Sequence, residues 1–364
     1  MRATLVDRYG PPEVIRVAEV PMPTPKPDEV LIRVEAAAVT PTDCAFRSGK
    51  PSIVRLFAGL RRPRSPILGD LMAGEVVEVG ASVTAFAVGH RVFGSPAPPT
   101  GAYAEYRCVR ATGSIARIPA GLDYAEAAAI ADGAMTALPF LRDDAKVRPG
   151  MNVLINGAAG AIGTSAVQIA KHFGADVTAV CGAGNAGLVR ALGADHMIDY
   201  TREDFTRMPA AFDVIFDVVG KSSFGRCRNA LRPGGVYLTT VPSRSAMALM
   251  VLKRRRHGKR GVFAATGLRP DSEKARDLAF ISELVAAGLL RGAIGRTFPL
   301  DAIVEAHRYV ETGHKRGSAI LAVGRPYAAN LGPSGGFLTE AAGGASRNPA
   351  GIAGAARAVA VRHR

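Results

Sequence analysis

The chain has 364 residues, and at 48% apolar and 21% charged it can bury cores of ordinary domain size, which excludes a mostly disordered protein. Aromatics make up 6%, with no Trp, which weighs against a nucleic-acid binder built on stacking platforms. A net charge of +15 favours anionic ligands, and the scattered cysteines (Cys44, Cys108, Cys181, Cys227) exclude a zinc ribbon and argue against a disulfide framework.

The N-terminal stretch Met1–Arg8 has an early acid and no long apolar run, so no secretory signal is expected. Residues 2 to about 118 read as β-rich. Glu29–Glu35 and Gly74–Gly80 alternate apolar and polar residues, as half-buried strands do. Pro21, Pro23, Pro25 and Pro27 enforce an extended connection ahead of the first of these. Gly89–Gly94 reads as another short strand bounded by glycines.

The pattern changes near residue 120. Tyr124–Ala131 is good helix sequence, and Asn152–Asn156 reads as a strand after Pro149-Gly150. A glycine-rich turn leads into the apolar-periodic stretch Ile162–Phe173. Asp176–Cys181 is the next strand, a helix is expected over Ala186–Leu192, and His196–Asp199 follows. Phe212–Val219 is a nearly continuous apolar run, suited to a strand buried on both faces. Leu231–Gly235 reads as a turn into the strand Val236–Thr240. Strand and helix in alternation predict a parallel, doubly wound sheet. An amphipathic helix is expected over Leu278–Leu290 and a closing strand over Ser318–Val323.

Three stretches stand apart. The longest apolar run, Ala246–Leu252, is too short to cross a bilayer, so a soluble, cytoplasmic protein is expected. Residues 253–260 hold six cations in eight positions, which reads as a solvated loop or cofactor edge, or as a nucleic-acid patch. From Arg325 onward, 21 of 40 residues are Gly, Ala or Pro, which predicts a disordered tail over 325–364.

The strongest chemical signal is Asn152–Gly163, with glycines at 157, 160 and 163. Lacking Cβ atoms, Gly157, Gly160 and Gly163 let backbone amides approach a pyrophosphate and let a strand turn sharply into a helix. Ala159, Ala161 and Ile162 complete that loop. The helix N-terminus then presents unpaired amides and a positive dipole end to the anion. The loop follows a strand, opens a helix and precedes a second strand, the context that a dinucleotide site requires. That second strand runs on through Gly182 to Asn185 with no acid. A carboxylate there would hold a ribose 2′-hydroxyl and repel a 2′-phosphate, so its absence, with Asn185, Arg190 and Tyr200 nearby, favours NADPH over NADH. Arg190 reads equally well as an exposed helix residue.

Several further segments resemble the medium-chain dehydrogenase/reductase superfamily, in its zinc-independent quinone-oxidoreductase-like branch, over about residues 2–324. They are Ala38–Asp43 with Arg47–Gly49, Leu68–Gly74, Gly89–Gly94, Gly101–Tyr106, the glycine loop, Leu192–Asp195, Leu231–Gly235 and Gly313–Gly317. The resemblance implies an α/β protein: a GroES-like β-barrel domain (1–120, completed by about 265–324) beside a Rossmann domain (121–264), with nicotinamide and substrate in the cleft between.

Zinc-dependent members carry Cys-x-Thr-Asp and Gly-His-Glu strings. This chain has Thr40, Asp70 and Leu71 at the Cys, His and Glu positions, and it lacks the four close cysteines of the structural zinc lobe, so no metal is expected. Cys44 and Asp70 are a makeshift alternative. Without a Lewis acid the easier acceptors are quinones and α,β-unsaturated carbonyls, which spread charge onto a hydroquinone or enolate. By the same resemblance, Thr40, Asp43 and Thr136 are candidate catalytic residues near the nicotinamide. Val219, Gly220, Thr240 and Val241 fall at strand ends that border the cofactor, and Gly182, Asn185 and Tyr200 border its 2′-phosphate. Ser318 stands where many members have a cofactor-facing Lys. Tyr103 reads as packing or as a site residue, and His90, His172, His196, His307 and His314 as structural or surface residues.

The expected activity is an NADPH-dependent reductase of small-molecule quinones or enones, acting as a homodimer. The alternatives are a zinc-independent alcohol or aldehyde dehydrogenase and, from another class, a nucleic-acid-binding protein that retains the cofactor fold.

Overall fold

The computed structural model describes residues 1–96, 100–242, 255–256 and 258–324. The apolar run Ala246–Leu252 and the tail from Arg325 lie outside the described residues, as does part of the cationic run at 253–260. No described helix is long and apolar enough to cross a membrane.

The N-terminal strands are β1 (Arg2–Val6), β2 (Ile15–Glu19), β3 (Glu29–Val39), β4 (Met72–Val79), β5 (Arg91–Gly94), β6 (Tyr106–Arg110) and β7 (Ile115–Arg117). Then come β8 (Asn152–Asn156), β9 (Asp176–Cys181), β10 (His196–Asp199), β11 (Phe212–Asp217), β12 (Leu231–Thr239), β13 (Arg255–Arg256) and β14 (Lys259–Phe263). The last two strands, β15 (Ile294–Pro299) and β16 (Ser318–Ala322), return to the N-terminal sheet.

That sheet runs β15-β16-β3-β4-β5-β7, and the pair β1-β2 stands beside it. The long strand β3 uses one edge twice. Its first half pairs with β6 (Glu29–Arg33) and its second half with β16 (Ala36–Val39). The C-terminal strands thus join the N-terminal sheet. Ala36, Ala37, Ala38 and Val39 are fully buried, because small side chains let the sheet pack closely on both faces.

The second sheet runs β10-β9-β8-β11-β12-β14, parallel throughout, with β13 antiparallel at its edge. This is the 3-2-1-4-5-6 order of a Rossmann sheet, and the order reverses between β8 and β11. Ligands in such sheets bind outside the carboxyl ends of the strands at that reversal, which places the end of β8 and its glycine loop there.

The helix Tyr124–Pro139 lies between the two sheets. Its Ile130 and Leu138 are fully buried, in one core with Ala38, Phe93, Val153 and Phe216. At Gly133 it touches the helix Ala161–His172 so closely that a Cβ would overlap the Ser165 hydroxyl and the Ala161 carbonyl.

Three local expectations differ from the structure. The strand Phe212–Val219 ends at Asp217, because that carboxylate turns the next residues over itself. Leu231–Gly235 is no separate turn: β12 begins at Leu231 and absorbs three extra residues as an irregularity against β11, Phe212 pairing with Leu231 and Val214 with Val236. The helix expected over Leu278–Leu290 runs instead over Asp271–Ala286. Its first turns are charged and hide their apolar periodicity, yet Asp277 is buried beneath Arg142 (2.6 Å) and Arg269.

Candidate functional site

The glycine loop closes the carboxyl end of β8. Gly157 has φ of 88°, a conformation that favours glycine, and a Cβ there would overlap the Val219 side chain. A Cβ on Gly163 would overlap the Gly157 carbonyl. Gly160 differs from both. Its φ is −81°, and a Cβ would meet only the Gly157 oxygen, at 3.5 Å. It caps the helix Ala161–His172 with no side-chain acceptor, and the first intrahelical bond runs from Thr164 N to the Gly160 oxygen (2.9 Å). The amides of Ala161, Ile162 and Gly163 precede that bond, so the helix itself does not satisfy them. Orphan amides and open space at Gly160 suit a diphosphate.

The neighbouring turn is built by Asp217, which the sequence reading missed. Its fully buried carboxylate accepts from Asn156 Nδ2 (2.9 Å), Tyr237 Oη (3.0 Å) and the amides of Val219 (3.1 Å), Gly220 (2.9 Å) and Ser222 (3.1 Å). This folds Val219 and Gly220 back over the glycine loop. Gly220 has φ of 75°, and a Cβ there would lie 2.6 Å from Val241, so Gly157, Val219, Gly220 and Val241 form one wall. Thr240 leads into it directly after β12. The only sequence signal for Asp217 was an acid ending an apolar strand just ahead of a glycine.

At the end of β9, Gly182 and Tyr200 are neighbours: a Cβ on Gly182 would lie 3.7 Å from the Tyr200 ring. Tyr200 is 57% exposed, and Asn185 ends the single turn Ala183–Asn185. Among the described residues from Val180 to Asn185 there is no carboxylate.

The barrel meets the loop directly. Gly317 N donates to the Ala159 oxygen at 2.7 Å. The next residue, Ser318, donates to Asp132 at 2.9 Å, and Lys315 Nζ lies 3.7 Å from the same carboxylate. Ser318 thus spends its hydroxyl on the helix between the sheets. Thr136 stands one turn beyond Asp132 and is partly exposed.

Thr40 and Asp43 are both buried, and they are bonded to each other. The Asp43 carboxylate accepts from Thr40 N (2.9 Å) and Thr40 Oγ1 (2.6 Å), and Thr40 Oγ1 accepts from Asp43 N (3.2 Å). The two form the capping box of the helix Pro41–Ser48. Burial pushes the Asp43 carboxyl up to about 6, against the opposing pull of Thr40. Tyr103 is fully buried and donates to the Ala38 oxygen (3.2 Å), which fits the packing role. His307 is also fully buried, with its Nδ1 3.3 Å from Cys44 Sγ. Burial holds that imidazole down at about 3 and pushes the Cys44 thiol up to about 12, so both are neutral near pH 7.

Two of the three zinc-ligand positions hold poor metal ligands: the Thr40 hydroxyl is committed to Asp43, and Leu71 has no donor. Ser95 Oγ donates to both oxygens of Asp70 at 2.7 Å. Among the described residues no group of three or more His, Cys, Asp or Glu is placed to hold a metal ion.

The family description "Alcohol dehydrogenase GroES-like domain" matches residues 26–120, and "Zinc-binding dehydrogenase" matches residues 192–321. Over 366 aligned residues the chain is 33% identical to a mitochondrial NAD(P)H oxidoreductase of Mus musculus, covering 89% of each. It is 32% identical to a 2-methylene-furan-3-one reductase of Solanum lycopersicum, over 88% of this chain and 79% of that one. Among solved structures, a quinone oxidoreductase from Coxiella burnetii is similar at a TM-score of 0.78 and 30% identity, over 89% of this chain and 99% of that chain.

Proposed function

The chain belongs to the medium-chain dehydrogenase/reductase superfamily, among its quinone-oxidoreductase-like NAD(P)H-dependent oxidoreductases, and we propose that it reduces quinones or α,β-unsaturated carbonyls with NADPH and without zinc. The observation that carries this reading is a glycine loop fitted for a diphosphate, joined to a barrel end whose Thr40 and Leu71 are unsuited to a Lewis acid.

When bound, the dihydronicotinamide supplies a hydride. The amides of Ala161, Ile162 and Gly163 grip the diphosphate, with Gly160 leaving the approach clear. Asp217 fixes the Val219–Gly220 wall, and Thr240 and Val241 continue it. Gly182, Asn185 and Tyr200 border the ribose 2′-phosphate. Lack of a carboxylate there supports NADPH over NADH. From the helix Tyr124–Pro139 Thr136 faces the nicotinamide, while on the barrel side Thr40 and Asp43 act chiefly by capping and positioning the helix that walls the substrate. The chain then contributes orientation and a dry cleft rather than a strong acid, and solvent completes the proton balance.

In this reading residues 1–120, completed by 265–324, shape the substrate side, and 121–264 hold the nucleotide. The four free cysteines suit a reducing compartment such as the cytoplasm. A homodimer belongs to the same reading and is checked by light scattering.

The test is loss of absorbance at 340 nm when purified protein meets NADPH and a panel of quinones and enones, with and without a chelator. Turnover that survives chelation supports the reading. A flat trace across the panel, or activity that returns only with zinc, overturns it.

A further inference from the structure

Between Cys44 and Gly69 the chain carries six cations, Arg47, Lys50, Arg55, Arg61, Arg62 and Arg64, and no acid. Within this segment lies the short helix Val54–Ala58. Ile53, Leu56, Phe57 and Leu60 are 44, 58, 61 and 67% exposed. Ile53, Leu56 and Phe57 are spaced i, i+3, i+4, the apolar stripe that a helix of a globular protein turns toward its core, and Leu60 follows Gly59 (φ 123°) just beyond the last turn. Here that stripe faces outward.

The helix is anchored on its other side. The Arg55 guanidinium lies 4.8 Å over the Tyr9 ring, and its Nε donates to the Gly49 oxygen at 3.2 Å. Tyr9 Oη donates to the Gly59 oxygen, just past the last turn. The stripe is therefore presented on a fixed base. Arg61, Arg62 and Arg64 stand exposed immediately beyond it.

We propose that residues 53–64 form a docking patch for an anionic lipid bilayer. Apolar tips flanked by arginines match a bilayer surface, where the side chains enter the acyl boundary and the guanidiniums meet lipid phosphates. Other occupants fit less well. A second copy related by a two-fold axis would set one arginine cluster against the other. A nucleic acid would engage the arginines but leave the stripe in water, with Phe57 the only ring for stacking. Other exposed large apolar side chains, such as Val88 and Leu268, lie far from this segment in sequence. The patch is continuous with the helix Pro41–Ser48, whose cap is Thr40, so docking would bring the candidate cleft toward the membrane. The inference does not depend on which acceptor is reduced.

The test is flotation of the full chain with phosphatidylcholine vesicles, with and without phosphatidylglycerol, at physiological ionic strength. The wild type is expected to float with the anionic vesicles and not with the neutral ones. Leu56→Glu/Phe57→Glu should lower that partition at least about tenfold, whereas Val88→Glu/Leu268→Glu, with the same charge change elsewhere, should change it less than about twofold. Thermal melts show that each variant is folded. If the first double variant fails to fold, Arg61→Ala/Arg62→Ala/Arg64→Ala replaces it and should again lower partition about tenfold. Absence of wild-type flotation overturns the proposal, as does equal loss in both double variants, which would mean bulk charge. A raised substrate KM for Leu56→Glu/Phe57→Glu with unchanged flotation would make the segment a substrate lid. Displacement from vesicles by an RNA oligonucleotide that binds the Glu double variant as tightly as wild type would make it a polyanion site.

Discussion

The amide of Gly317 donates to the carbonyl of Ala159 at 2.7 Å, and through this bond the C-terminal segment reaches the glycine loop. The two residues lie far apart in sequence, yet a one-residue bridge pairs Gly160 with Gly317 as adjacent strands would. Gly317 has φ of 51°, and a Cβ on it would overlap the Ala293 carbonyl, so the contact depends on glycine. One contact between the C-terminal segment and the parallel-sheet half is thus made at the glycine loop itself.

The glycines of the loop are not equivalent. Gly160→Ala adds a methyl that meets nothing closer than 3.5 Å, so the fold should keep its melting temperature. In the proposed site the same methyl would stand in the path of the diphosphate, and NADPH affinity should fall about tenfold. Gly157→Ala combines φ of 88° with overlap on Val219 and should lower both stability and affinity. Paired thermal melts and calorimetric titrations separate the two outcomes.

Cofactor choice should turn on one position. Gly182 has φ of −72°, which suits any residue, and the space around it holds only the Tyr200 ring at 3.7 Å. Gly182→Asp introduces a carboxylate at the end of β9 without crowding. It should lower kcat/KM with NADPH at least about tenfold and raise the NADH to NADPH ratio, by repelling a 2′-phosphate and accepting from a 2′-hydroxyl. An unchanged ratio would place the 2′-phosphate elsewhere.

Asp217 offers five donors two carboxylate oxygens in a fully buried position. Asp217→Asn turns one oxygen into an NH2 that faces donors. The cost should be about 2–4 kcal/mol, read by denaturant unfolding. NADPH affinity should drop with it, because the Val219–Gly220 wall loses its support.

Legibility followed the range of each interaction. The glycine loop could be read because its backbone demands fall on neighbouring residues. The parallel sheet could be read because its strands are buried on both faces and stay apolar. The family pattern singles out Thr40 and Asp43 as candidates, but their bonding to each other is a cap geometry that such a pattern does not reveal. Asp217 was hidden because its meaning comes from Tyr237, twenty residues on, and from a turn it creates itself. Ser318 and Asp132 meet across 186 positions, and no local pattern announces that pair. His307 read as structural or surface, and its burial against Cys44 appears only once the barrel closes.

Stability should depend on pH through Asp43. Burial raises its folded pKa to about 6, above the ordinary value of about 3.9. Between those values the folded chain binds more protons than the unfolded one. Stability should therefore fall as pH rises from about 4 to about 6, by up to about 3 kcal/mol, and level off above. Asp70, also raised by burial, contributes with the same sign. Asp43→Asn keeps an acceptor for Thr40 and should flatten this part of the profile. Denaturant unfolding across that pH range would expose a failure as parallel curves for the two proteins.

The central claim is direct hydride delivery from a nucleotide held at residues 157–163 to an acceptor in a metal-free cleft. Chelator-treated protein, NADPH deuterated at nicotinamide C4 in turn on each face, and a simple enone test it in one reaction. Deuterium from one of the two labelled cofactors, found by mass spectrometry at the β-carbon of the saturated ketone, is the result expected. Product without label from either cofactor, or no product until zinc is restored, would contradict the account.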